Sequence, residues 1–127
     1  MLLLSLILNH MKKHTDFDFF LCCPVEAAIS LLGGKWRGVI IYHIAKNNGA
    51  GFSELINKHK KLSRRTLSLQ LDFLERKGII NKIIIKEKPL RIKYTLSKYG
   101  EELIPIFISM EDWFKNNKED FLYHYDM

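Results

Sequence analysis

The stretch Leu62-Ser63-Arg64-Arg65-Thr66-Leu67-Ser68-Leu69-Gln70-Leu71-Asp72-Phe73-Leu74-Glu75-Arg76-Lys77-Gly78 constrains the chain most, because a start signal, a stop signal and two unlike faces coincide in it. Ser63 can cap a first turn through its hydroxyl. Gly78 supplies the left-handed residue that ends helices, with Arg76 and Lys77 at the negative end of the dipole. Between these signals Leu67, Leu71 and Leu74 recur at helical spacing with Gln70 beside them, which gives one face a core to pack on. Arg64, Arg65 and Ser68 fall on the outer side of the first two turns, where a helix laid in a DNA major groove reaches base edges and phosphates. Taken alone, the arginine pair reads as a solvated helix face. Its neighbourhood is one-sided, however. From Lys58 to Lys93, twelve Lys or Arg stand against three acids, a surplus of nine in a chain whose total is +6, so the remainder is net acidic. Charge segregated in this way is the footprint of a polyanion-binding surface.

With 127 residues, 47% of them hydrophobic, the chain is large enough for one ordinary core and too short for two independent domains. Its two cysteines, Cys22 and Cys23, are adjacent. That excludes a disulfide framework within the chain and points to a reducing, cytoplasmic compartment. No Cys/His spacing suits zinc, no glycine-rich loop suits a phosphate, and no repeat is present, so neither metal nor cofactor is expected. The apolar run Met1–Leu8 lacks a preceding basic residue, is far shorter than a membrane span, and is followed by Lys12-Lys13 rather than a small-residue cleavage site. We therefore expect neither an export signal nor a membrane partner; either translation starts at Met11 or the segment packs on a partner subunit.

In chain order, residues 1–22 read as an N-terminal arm in which Phe17, Phe19 and Phe20 alternate with acids and lie across an apolar surface. Pro24 suits the first turn of a short helix running to Leu32, stopped by Gly33-Gly34. Lys35–Lys46 has Trp36, Val39, Ile40, Ile41 and Ile44 as a broad apolar face and reads as the central buried helix. Phe52 predicts a brief extended link, and Ser53–Lys58 a third helix that turns tightly into the basic one, forming a helix-turn-helix. Ile79–Lys86 and Arg91–Leu96 are β-branched runs about Glu87-Lys88-Pro89-Leu90, a hairpin wing on which Lys86, Lys88, Arg91 and Lys93 can reach DNA backbone. Ser97 predicts the cap of a long last helix, kinked or broken at Pro105. Leu103, Ile104, Phe107 and Phe114 make one apolar face of it, and Ile106, Met110 and Trp113 another. A second subunit or a larger intrachain core would cover that second face; the dimer, with Phe19 and Phe20 contributing, is the reading adopted. The expected organisation is thus an arm (1–22), a winged helix-turn-helix core (23–97) and a dimerisation helix and tail (98–127): mainly α with a small β-hairpin wing, dimerising through terminal helices.

Several short motifs in this order resemble one family. They are Cys23-Pro24-Val25-Glu26, Gly33-Gly34-Lys35-Trp36, Phe52-Ser53-Glu54-Leu55, Leu67-x-x-Gln70-Leu71-x-x-Leu74, Gly78, and Tyr94-x-Leu96-Ser97-x-x-Gly100. Together they look like the HxlR family, bacterial winged-helix transcription regulators related to the MarR group, over about Cys23 to Trp113. The resemblance implies a homodimer on a palindromic duplex DNA operator. It places Ser63, Arg64, Arg65 and Ser68 in groove contacts and Lys88 with Arg91 in wing contacts. Leu69 stands where members often carry a polar residue, so it either meets a thymine methyl or packs differently. Only Cys23 of the doubled cysteines occupies the motif position.

Cys23 is the one candidate for chemistry. It lies at a helix start, where amide groups favour an anion, and exposed thiolates are what oxidants and electrophiles attack. Some HxlR-like proteins sense such agents at this position. The competing reading is an inert thiol packing the first helix. A small-molecule effector between the central and last helices, lined by Trp36, Tyr42, Phe107 and Trp113, competes likewise with plain core. An enzyme is not expected, since His10, His14, His43, His59 and His124 are scattered and no nucleophile or carboxylate pair has a catalytic spacing. A winged-helix module that binds protein or RNA is the alternative function.

Overall fold

The computed structural model describes residues 22–124, and the chain divides after Gly38 into two compact units. In the first unit, α1 spans Pro24–Leu32 with proline in its first turn and Ala27 buried. Its last carbonyls would be orphaned at Gly33. The Arg37 guanidinium satisfies two of them, donating to Ser30 O at 3.3 Å and Leu31 O at 3.2 Å.

Helix α2, Arg37–Lys46, leads into the second unit and buries Ile40, Ile41 and Ile44. Left-handed Asn48 and Gly49 end it and turn the chain into a two-residue strand β1, Ala50–Gly51. Helix α3 follows as Phe52–Lys58. Sequence reasoning placed extended backbone at Phe52; that backbone lies one step earlier, and Phe52 opens the helix. His59 closes α3, its N–H bonded to Leu55 O, and its own carbonyl accepts from Leu62 N–H at 2.9 Å. This tight turn buries Leu62 and delivers Ser63 as the cap of α4, Arg64–Arg76. The Ser63 hydroxyl accepts from Thr66 N–H at 3.0 Å. At the other end Gly78 adopts φ +77, the conformation for which glycine was expected there.

Strands β2, Ile80–Glu87, and β3, Leu90–Leu96, form an antiparallel hairpin, and β1 joins the other edge of β3 to give the order β1-β3-β2. Ala50 pairs with Tyr94, and the hairpin register runs from Ile80↔Leu96 to Glu87↔Leu90, with an irregularity between Ile84 and Lys86. Beyond the wing, Ser97 caps only a five-residue helix α5, Lys98–Glu102; a separate helix α6 spans Ile104–His124. The kink or break expected near Pro105 is a break, so the last helix is two. The break falls at Leu103, because Pro105 occupies the first turn of α6, where its missing N–H costs nothing.

Ser97 and Gly100 fasten the base of the wing. The Ser97 hydroxyl lies 2.6 Å from Gly78 O and 2.9 Å from Ile79 O, and it accepts from Gly100 N–H at 3.2 Å. A Cβ at Gly100 would stand 2.3 Å from Ile79 O, so only glycine fits. The core of this unit gathers Ile40, Ile41, Ile44, Leu55, Leu67, Leu71, Leu74, Ile80 and Tyr94. A helix-turn-helix of α3 and α4 followed by a projecting hairpin is a winged helix-turn-helix.

Leu67 is 0% exposed and Leu69 is 56% exposed. Leu67→Ala should therefore cost roughly 2–5 kcal/mol by urea unfolding, and Leu69→Ala no more than about 0.5 kcal/mol. Comparable losses for the two would mean that α4 is rotated from this register.

Candidate nucleic-acid interface

The buried seam of α4 decides what its other face presents. At about 100° per residue, Arg65, Leu69 and Arg76 point away from Leu67, Leu71 and Leu74, with Ser68 and Asp72 on one flank; all five are exposed. Arg64 is exposed too but lies closer to the seam, and its guanidinium carbon stands 5.8 Å from the Phe52 ring centroid. That cation–π contact orients it along α3. Ser63 is exposed as well, though its hydroxyl also donates to Thr66 Oγ1 at 2.9 Å, so it already works as the cap. Leu69 does not repack into the core: it stands in the middle of the outward face. Asp72 was not singled out from the sequence, yet it lies on that same face one turn from Ser68.

The wing adds more cation. Lys82, Lys86, Lys88 and Arg91 are exposed, and Lys86 lies opposite Arg91 in the strand register. Like charges directly opposed across strands repel, so this pair favours an anion between or above it. Beneath the wing Tyr94 is buried, and burial, reinforced by the Glu75 and Asp72 carboxylates, pushes its phenol up from the ordinary 10.0. It stays a neutral core residue.

Behind the turn of the helix-turn-helix lies a polar relay that sequence spacing did not reveal. His43 Nε2 is 2.9 Å from Glu54 Oε2, and His59 Nε2 is 3.3 Å from His43 Nδ1. The carboxylate requires a proton on His43 Nε2, which leaves Nδ1 to accept from His59 N–H. Thus α2, α3 and the turn are joined by one directional chain of hydrogen bonds. These groups line part of a cleft of about 890 Å³ with Val39, Tyr42, Lys46 and Lys58.

Helix α6 is tied to α2 by the Tyr42 hydroxyl, which donates to the Glu111 carboxylate. Lys115 and then Tyr42 hold that carboxyl below its ordinary value. A cavity of about 120 Å³ brings Tyr42 and Phe107 together with Ala45, Lys46, Ile104 and Ile108. Trp113 does not line it, being exposed and set 5.0 Å from the Phe121 ring. Phe114 was expected on the covered face with Leu103, Ile104 and Phe107; it is exposed instead, alongside Ile106, Ile108, Met110 and Trp113. Phe19 and Phe20 lie outside the described residues. In the first unit Cys23 is the N-cap of α1, half-buried, beside exposed Cys22, and both are free thiols. Among the described residues no His, Cys, Asp or Glu group could hold a metal ion, and no helix is long and apolar enough to cross a membrane.

A helix-turn-helix with a cationic outer face and a basic wing defines the class of winged-helix DNA-binding transcription regulators. Comparison with known proteins agrees and narrows it. Residues 31–121 match the model of the HxlR-like helix-turn-helix family, and the chain belongs to that family. It is 36% identical over 102 residues, 80% of this chain and 79% of the relative, to YdeP, an uncharacterized HTH-type transcriptional regulator of Bacillus subtilis (strain 168). Among solved structures it resembles the redox regulator HypR in its reduced form, with TM-score 0.74, 33% identity and coverage of 80% of this chain and 99% of that one. It also resembles the reduced form of the transcriptional regulator YodB from B. subtilis, with TM-score 0.65, 31% identity and coverage of 73% and 90%. Family and relatives are transcription regulators, not enzymes.

The relay makes a pH prediction. His59 is held below its ordinary 6.5, chiefly by burial and then by its neighbours His43 and Lys58, beside which a second positive charge is disfavoured. The unfolded chain therefore binds this proton before the folded one does, so the contribution is whole above about pH 6.5 and is lost as pH falls toward the lowered folded value. The urea midpoint should drop between about pH 7.5 and about pH 5.5. That drop should be smaller in His59→Gln; equal drops would remove His59 as the cause.

Proposed function

We propose that this regulator binds a palindromic duplex operator as a homodimer, each subunit presenting α4 to the major groove and its wing to the flanking backbone. The observation that carries this is the outward face of α4, with exposed Arg65 and Leu69 at its centre, together with exposed Lys86 and Arg91 opposed on the wing. In this reading Arg65 grips guanine and Leu69 meets a thymine methyl, while Asp72 can accept from a cytosine amino group. Ser68 reads an edge beside them. Arg64, Ser63 and the first amides of α4 hold phosphate. Lys88 and Arg91 fix the wing on the backbone. The second subunit covers the exposed row Ile106, Met110 and Trp113, which at 51%, 58% and 60% exposure is too apolar to be left in water.

Selection of bound fragments from random duplex DNA tests this reading, because a recovered palindrome yields function, symmetry and half-site spacing together. On the selected site Arg65→Ala should cost about 1–3 kcal/mol and relax one base position. Affinity should also fall steeply with salt, as several phosphate contacts require. No enrichment would favour the protein- or RNA-binding alternative, and an unchanged preference in Arg65→Ala would remove that residue from base reading.

A second element of the proposal is redox control through Cys23. Its support is the thiol's place at the start of α1, half-buried with its exposed neighbour Cys22, together with likeness to redox regulator HypR, whose structures include an oxidized form. Adjacent cysteines close only a strained ring, so oxidation would join two subunits or add a small thiol. Diamide treatment followed by mass spectrometry should show one of these products, absent in Cys23→Ser, with altered operator affinity. No adduct and unchanged affinity would end the sensing role.

A further inference from the structure

Strand β3 outruns its neighbour on one edge. Its hairpin mate β2 accompanies it from Leu96 to Leu90, whereas β1 pairs with it only at Tyr94 and Lys93 before the chain turns into α3. The direction of the main chain shows what that leaves open. A Cβ added to Gly49 would stand 3.2 Å from Tyr94 O, and one added to Gly51 would stand 3.5 Å from Ile92 O, so both carbonyls lie toward β1. In an antiparallel ladder, alternate residues present their N–H and C=O to the same edge, which adds Leu90 to the set. Among the described residues no strand lies beside Ile92 and Leu90 on that side. In its place is a cleft of about 680 Å³ between the outer half of β3 and the segment 49–54.

The two sides of this open edge differ in chemistry. Side chains alternate along a strand, so Leu90 and Ile92 lie on the side of buried Tyr94, and Phe52 and Ile85 line the cleft with them. Arg91 lies on the other side with Lys86 opposite it, as does Lys93. In the strand register that side carries no acid: Glu87 stands opposite Leu90 on the apolar side, and the Glu54 carboxylate at the cleft border is 2.9 Å from His43 Nε2. An occupant must therefore pair with main-chain groups while turning apolar side chains one way and negative charge the other. A second copy of the same edge does not qualify, because it would bring like cations together. An extended peptide of alternately apolar and acidic residues does, since its period of two sends the two kinds of side chain to opposite faces.

We propose that the open edge of β3 is a docking site for such a peptide segment of another protein, which adds a strand in line with β1. Antiparallel to β3, as β1 is, the segment sets apolar residues opposite Ile92 and Leu90 and an acid opposite Arg91. Its apolar residues then aim their N–H groups at β3, just as Ala50 does opposite Tyr94. The proposal stands apart from the DNA-binding reading. Its test is a titration of the ¹⁵N-labelled full-length chain with a short capped peptide that alternates Phe with Asp. The amides of Gly51 and of residues 90–93 should shift together. N-methylation of the Phe residues should abolish the shifts, and N-methylation of the Asp residues should leave them. Arg91→Glu should weaken this peptide several-fold and strengthen one that alternates Phe with Lys, a gain that only a folded wing can give. Shifts centred elsewhere, any other methylation pattern, or equal affinity of Arg91→Glu for both peptides overturns the proposal. Two further outcomes also overturn it: concentration-dependent shifts at 90–93 without peptide would give the edge to a second copy, and shifts there with a short duplex but not with the peptide would give it to DNA.

Discussion

Burial of Leu67, Leu71 and Leu74 along one side of α4 is the constraint on which the rest of the molecule depends. Each fully buried leucine contributes about 1.5–3 kcal/mol, so rotating the helix by even one residue would forfeit several kcal/mol and bring Ser68 toward the core. The seam therefore fixes the outward direction of Arg65, Leu69 and Arg76 without any contact made by those residues themselves. The face proposed to read DNA is the side that contributes least to stability. That division lets the outer face vary while the fold stays put.

A second set of constraints sets the wing relative to that helix. The chain leaves α4 through left-handed Gly78, and the Ser97 hydroxyl holds both Gly78 O and Ile79 O while accepting from the N–H of Gly100. The end of α4, the root of β2 and the start of α5 thus meet at one hydroxyl. Gly100 belongs to the same knot, since any side chain there would collide with Ile79 O. Because the root is held so tightly, the cations of the wing stand at a defined distance from those of the helix. On the opposite side of the helix-turn-helix, the relay through Glu54, His43 and His59 ties the turn to α2.

Features set by neighbouring residues were legible in the sequence. Ser63 as cap, Gly78 as left-handed stop, the leucine seam and the hairpin about Lys88-Pro89 all depend on a few adjacent positions. The family motifs fixed the rest of the element order. What escaped depends on distance or on very short segments. Two residues, Ala50 and Gly51, form a strand only because β3 offers an edge to them. Pro105 reads equally well as a kink inside one helix or as the first turn of another, and the register of Ser97 with Gly100 decides for the second. His43 and His59 looked scattered because 16 residues separate them, and Glu54, 11 residues from His43, stood out only as part of a motif. Tyr42 and Glu111 are 69 apart. Phe114 was assigned to a covered face from periodicity alone, but periodicity says which residues share a side and not what lies against it.

The central claim is that the outer face of α4 and the wing form one continuous surface for duplex DNA. Backbone amide NMR of the ¹⁵N-labelled chain during titration with a short mixed-sequence duplex at low salt tests it directly. The account predicts that perturbed amides cluster at 63–69, at Asp72 and along 82–91, and leave the exposed row of α6 unmoved. Perturbation centred on Ile106, Met110 and Trp113, or spread evenly over the surface, would contradict it.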